Sequence, residues 1–182
     1  GAAADDAANY GAIGVVIGHE MTHGFDDQGS QCDKEGNLRN WWTPQDKANY
    51  KARTQRMIRF FDGIEVLPGL HCNGALTCGE NIADHGGLKV AYQAFRNATS
   101  SRPLADFGGF TPDQRFFISY GQIWANNIRP EALRNQVKTD PHAPARWRVN
   151  GALPQIEAWY KAFGIKKGDK LFVPKNKRVD IW

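Results

Sequence analysis

The sequence predicts a mainly α protein, and three observations carry that expectation. Helix-start signatures recur: Thr43-Pro44-Gln45-Asp46 and Thr111-Pro112-Asp113 each place a Thr N-cap ahead of a Pro, with an acid in the first turn. Apolar residues return at helical spacing in several segments. Little of the chain reads as strand, apart from one short stretch, residues 64–67, inside a Gly- and Pro-containing connection.

The elements follow in order. Residues 5–24 read as a first helix, with Ile13, Val16, Ile17 and Met21 as its buried stripe and Gly24 as its stop. Residues 25–42 are loop-rich, with Gly29, Gly36 and several Asn and Asp. The Thr43 cap opens a helix to about Phe61. A second long helix is expected over residues 78–97, with Ile82, Leu88, Tyr92 and Phe95 on or near its packed side. Residues 101–110 form a loop, and the Thr111 cap opens an aromatic-rich helix to about Ile128. Pro130 permits a new helix start, to about Lys138. Residues 139–151 read as irregular, residues 154–163 as a last helix, and the tail is punctuated by Gly and Pro.

Composition excludes several classes of function. The chain has 182 residues, 41% of them hydrophobic and 23% charged, which suits one globular domain rather than a disordered segment. The net charge is +4 and its Lys and Arg are spread along the chain, which argues against a nucleic-acid binder. The runs Lys166-Lys167 and Lys175-Asn176-Lys177-Arg178 read as solvated surface. The longest apolar run, residues 11–18, is too short to cross a bilayer, so no membrane contact is expected from this segment. Cys32, Cys72 and Cys78 read as free or partly buried thiols, although Cys72 and Cys78 are close enough in sequence to pair.

His19-Glu20-Met21-Thr22-His23 is an HExxH motif at the end of that apolar run. On a helix the two His lie one turn apart on one face and can grip one zinc ion. Glu20 is then placed to take a proton from a water that the metal activates. A catalytic zinc needs a third protein ligand. Glu80, in Gly79-Glu80-Asn81-Ile82-Ala83-Asp84, is the candidate, with Asp84 on the same helix face at i+4. One of these carboxylates would bind metal and the other would accept the N–H of a ligand His; the alternative is a solvated acidic pair. His85 lies at i+5 from Glu80 and points elsewhere, His71 reads as a loop or capping residue, and His142 lies in a loop between two prolines.

The stretches Val16 to Gly29, Asn73-Gly74, Gly79 to Asp84, Asp140-Pro141-His142, Arg148-Val149-Asn150-Gly151, Phe163-Gly164 and Gly168-Asp169, with the closing Trp182, together resemble the neprilysin family of zinc endopeptidases. The resemblance covers nearly the whole chain and implies the C-terminal catalytic part, a zincin-type (gluzincin) lobe. It implies one zinc held by His19, His23 and Glu80, with Glu20 as general base and proton shuttle. It implies that Asp84 hydrogen-bonds a ligand His, expected to be His19, and that His142 stabilises the oxyanion. It also implies that Arg148 binds a substrate carbonyl or carboxylate. Asp26, just beyond the helix end, is a candidate to orient His23.

The expected partners are small peptide substrates and an N-terminal lobe of the same polypeptide. That lobe, and the Asn-Ala-aromatic-Tyr segment that family members carry upstream of HExxH, have no counterpart in the eighteen residues before His19. Residues 1–182 are therefore expected to form one catalytic domain cut from a longer chain. The closing Arg178-Val179-Asp180-Ile181-Trp182 resembles bacterial members, so an exported bacterial protein, periplasmic or extracellular, is expected.

Overall fold

Short polar caps and Gly or Pro breaks divide the chain into eight α-helices and one small hairpin, and a computed structural model describes all residues 1–182. Helix α1 (Asp6–Asn9) is capped by Asp5 and passes through a π-helical turn, Tyr10–Gly14, into α2 (Val15–Thr22). A 3-10 turn, His23–Phe25, ends this rod. Helix α3 (Pro44–Asp62) starts at Thr43, whose side chain accepts the Asp46 amide. Strands β1 (Glu65–Leu67) and β2 (Leu70–His71) pair antiparallel.

Helix α4 (Gly74–Thr99) starts four residues earlier than its apolar pattern suggests, because the Asn73 side chain caps the Leu76 amide at 3.0 Å. A reciprocal Thr111–Gln114 capping box opens α5 (Pro112–Ile123). Then come α6 (Pro130–Thr139), α7 (Ala145–Asn150) and α8 (Glu157–Phe163), the last stopped by left-handed Gly164.

Helix α4 is the central element. Its Leu88, Ala91 and Phe95 belong to one apolar core with Val15, Phe116, Phe117, Tyr120 and Trp159. Its Cys78 and Ile82 belong to a second core with Met57, Phe61, Cys72, Val179 and Ile181. The tail is bound to α3, where Arg53 Nη1 donates to the Ile181 carbonyl at 2.9 Å. All three cysteines are free thiols. Burial pushes the Cys72 and Cys78 thiols up, to about 11 and about 12, so they are inert neutral core residues.

Four expectations are corrected. The stripe Ile13, Ile17 and Met21 is exposed at 57%, 56% and 65%; the buried face of α2 is Val15, Gly18, His19 and Thr22. The cause is the crossing with α4: a Cβ on Gly18 would lie 3.0 Å from Gly87 Cα, and a Cβ on Gly87 would lie 2.6 Å from the His19 amide nitrogen. Only the small-residue face permits that approach. Helix α5 ends at Ile123 rather than near Ile128. Residues 139–151 contain α7, a six-residue helix. Arg178 is not simply solvated: its guanidinium lies 3.6 Å from the Tyr160 ring centroid and pairs with Glu157.

Gly87→Ala is expected to destabilise the chain by about 1–3 kcal/mol through overpacking against α2. Gly24→Ala, which meets open space, is expected to change stability by less than about 0.5 kcal/mol. Urea unfolding midpoints of the two variants check this.

Candidate metal centre and active site

Helix α2 and the 3-10 turn that ends it present His19 and His23 toward α4, one turn apart, with ring centroids 4.6 Å apart. Helix α4 presents Glu80 opposite them. His19 Nε2 lies 3.1 Å from Glu80 Oε2, and His23 Nε2 lies 3.6 Å from Glu80 Oε1. The three ligand atoms lie within 4.8 Å of one another. Glu80 Oε2 is buried without hydrogen-bond geometry to any donor, an orphan acceptor facing two imidazole nitrogens. A cation among these atoms satisfies all three, and two imidazoles with one carboxylate suit zinc.

The far sides of both imidazoles are occupied. His19 Nδ1–H donates to Asp84 Oδ1 at 2.8 Å, and His23 Nδ1–H donates to Asp26 Oδ2 at 2.7 Å. A carboxylate can only accept, so in the neutral imidazoles both Nε2 atoms carry the lone pair that a metal needs. Asp26 is itself fixed, because its Oδ1 accepts the Gln28 and Gly29 amides at 2.9 and 2.7 Å.

Burial disfavours the His19 imidazolium, but Asp84 and Glu80 outweigh that and raise its pKa to about 9. Burial also opposes ionisation of Glu80, yet the surrounding His19, His142 and His23 hold its pKa below the usual value. The group is thus electrostatically balanced, with carboxylates matched against imidazoles.

Three further residues complete the wall. His142 Nε2 lies 3.3 Å from Glu80 Oε2, while its Nδ1–H donates to Asp140 Oδ1 at 2.7 Å. Arg148 is buried and forks onto Asp84: Nε donates to Oδ2 at 2.8 Å and Nη2 to Oδ1 at 2.7 Å. Glu20 is exposed and lines a cavity of about 130 Å³ with His19, Asp84, His142 and Arg148. A larger cavity, about 470 Å³ between α3 and the loop from Asp27 to Trp42, shares none of these residues.

Every site residue expected from the sequence therefore converges on one region: His19, Glu20, His23, Asp26, Glu80, Asp84, His142 and Arg148. Two other histidines stay outside it. His71 is exposed, with Nδ1 donating to the Asp62 carbonyl at 3.0 Å. His85 is buried on α4, with neither ring nitrogen hydrogen-bonded, and burial lowers its pKa to about 4.

Three residues had no role assigned from sequence. Asp140 holds His142 by side chain and backbone, since the His142 amide also donates to Asp140 Oδ1 at 2.8 Å. That is an Asx turn, and Asp-Pro-His was its signal. Tyr120 donates its hydroxyl to the Arg148 carbonyl at 2.8 Å, and Trp124 lies across the Arg148 guanidinium at 3.8 Å. Nothing in the sequence links these two with Arg148.

A helix-borne His pair completed by a carboxylate from a second helix is the type of site found in zinc metallopeptidases. The family is more specific than the site: the model of peptidase family M13 matches residues 2–179, and the chain belongs to that family. Human neprilysin is 38% identical over 182 residues, covering 97% of this chain and 24% of that protein. Rat endothelin-converting enzyme 1 is 39% identical over 180 residues, covering 97% and 23%. Among solved structures, the Mycobacterium tuberculosis zinc metalloprotease Zmp1 in complex with an inhibitor superposes with a TM-score of 0.95 at 42% identity, covering 98% of this chain and 28% of that one. PepO from Lactobacillus rhamnosis gives 0.87 at 38% identity, covering 99% and 27%. The chain spans about a quarter of the length of the curated relatives it matches.

Zinc binding to this chain is expected to tighten as pH rises toward about 9, because His19 must lose a proton to become a ligand. Calorimetry at neutral pH in buffers of different ionisation enthalpy is expected to show that proton released. Asp84→Asn removes the negative charge behind His19 and is expected to weaken zinc binding about 10–100-fold.

Proposed function

We propose that residues 1–182 form the catalytic zinc domain of a metalloendopeptidase acting on small peptides. His19, His23 and Glu80 would hold one zinc ion per chain. The observation that carries this reading is the convergence of that ligand set with one cavity: His19 lines it with Glu20, His142 and Arg148, and His142 Nε2 lies 3.3 Å from Glu80 Oε2. Zinc, when bound, supplies Lewis-acid polarisation of a water and of the scissile carbonyl.

The chain's own residues supply the rest. Glu20 lies beside the ligand His19 without being part of the ligand cluster, so its carboxylate takes the proton of the attacking water. It then delivers that proton to the leaving amine. His142, held by Asp140, donates to the oxygen on which negative charge develops. Arg148 is braced by Asp84 and keeps Nη1 without a protein partner, available for a substrate carbonyl on the leaving-group side. Asp84 and Asp26 fix the tautomers of the two ligand imidazoles.

A specific observation favours a second reading, a zinc-binding fragment with little activity alone. The Ile13, Ile17 and Met21 face of α1–α2 is solvent-exposed directly beside Glu20, and Phe25 continues it at 50% exposure. An apolar stripe of this extent marks a surface that another element covers. Its proposed partner is the N-terminal lobe of the same polypeptide, which would also form the opposite wall of the substrate cleft. No helix of the chain is long and apolar enough to cross a membrane. Nucleic acid and membrane surfaces are not proposed as partners. Two structural relatives are bacterial, and the proposed location is that of an exported bacterial protein, periplasmic or extracellular.

Glu20→Gln is expected to retain one zinc per chain and to lower peptide turnover about 10²–10⁴-fold. Metal analysis with a quenched fluorescent peptide assay measures both, and unchanged turnover would rule out Glu20 as the base. Ile17→Ser is expected to leave the stability of this chain within about 0.5 kcal/mol, because Ile17 is exposed, and to weaken its association with the preceding lobe supplied in trans. Stability loss without weakened association would remove the docking role of that face.

A further inference from the structure

Arg148 is held at three points, and the Asp84 ion pair accounts for only one of them. Asp84 takes Nε and Nη2 along one edge. Trp124 covers the face, with Arg148 Cζ 3.8 Å from the ring centroid. Tyr120, fully buried one turn earlier, donates its hydroxyl to the Arg148 main-chain carbonyl at 2.8 Å. Tyr120 lies in the last turn of α5 and Trp124 is the residue that caps its C-terminus, so the end of one helix grips both ends of the same residue.

A bidentate pair fixes the edge of a guanidinium but permits it to buckle out of plane about that edge. A ring stacked on the face removes that freedom and consumes none of the in-plane N–H donors. The indole is also held at a cost, because its own Nε1–H is buried without a partner. Trp124, Arg148, His142 and Glu20 all line the same cavity.

We propose that Trp124 is a positioning residue for Arg148, its indole face setting the plane in which Nη1 is offered to a substrate carbonyl. The inference rests on the reading of Arg148 as the carbonyl-binding residue. Substrate recognition at this arginine then depends on the last turn of α5 as well as on Asp84.

Two zinc-directed probes test it by calorimetry on the zinc-loaded chain. Acetohydroxamate reaches only the metal, whereas the succinyl hydroxamate of leucine amide also presents carbonyls on the leaving-group side. Trp124→Leu is expected to weaken the longer probe about tenfold and to leave acetohydroxamate and zinc stoichiometry unchanged. Trp124→Phe, which keeps an aromatic face, is expected to recover most of the loss. In an Arg148→Lys background, which keeps Asp84's counter-charge but removes the planar fork, Trp124→Leu is expected to add nothing.

Equal losses in both backgrounds would mean that Trp124 touches the ligand directly and would overturn positioning. Equal weakening of both probes would make the ring a support of the metal site instead, and also overturns it. Unchanged affinity of Arg148→Lys for the longer probe would overturn the reading of Arg148 itself. Failure of either probe to bind the zinc-loaded chain would overturn the metal-site reading beneath both.

Discussion

The Asp84 carboxylate is the charge on which the rest of the site depends. It is 2% exposed and accepts from His19 on α2 and twice from Arg148 on α7. A carboxylate buried so deeply costs several kcal/mol unless it is paired and hydrogen-bonded. Here one oxygen is shared by a ligand imidazole and a guanidinium, and the other completes the fork. Three elements far apart in sequence are thereby held in one register. The position of the His19 imidazole and the position of the Arg148 guanidinium are therefore not independent.

That node is reachable only because α2 and α4 approach closely. Gly18 and Gly87 bring the two backbones together, and the same crossing turns His19 inward toward Glu80 and Asp84. Helix α2 therefore has two unlike sides. The small-residue side that packs on α4 carries His19, the apolar side faces solvent, and Glu20 lies exposed beside it. The exposed side borders Glu20, so under the proposed function this chain would provide the ligand-bearing wall of a cleft.

Much of the fold was legible locally. Thr43-Pro44 and Thr111-Pro112 marked helix starts because capping is short-range hydrogen bonding. The direction of the first helix was not legible: Ile13, Ile17 and Met21 have helical spacing whether their face is covered by this domain or by another. Helix α7 was missed because six residues are too few to be stable alone. It is held by Tyr120 on the Arg148 carbonyl and by Asp84 on the guanidinium, neither visible in its own sequence.

The sequence by itself determined the chemistry available: an HExxH spacing that puts two imidazoles on one helix face, and Glu80 and Asp84 one turn apart on another. Helical periodicity is a local property, and four residues suffice to express it. Spacing left open which carboxylate faces the imidazole Nε2 atoms and which stands behind His19; the tertiary structure puts Glu80 and Asp84 where the family resemblance implied. It also brought Asp140, Tyr120 and Trp124 into service of His142 and Arg148. Those assignments rest on contacts between residues tens of positions apart, which form only when helices cross at a fixed distance and angle. No pattern within a single segment encodes them.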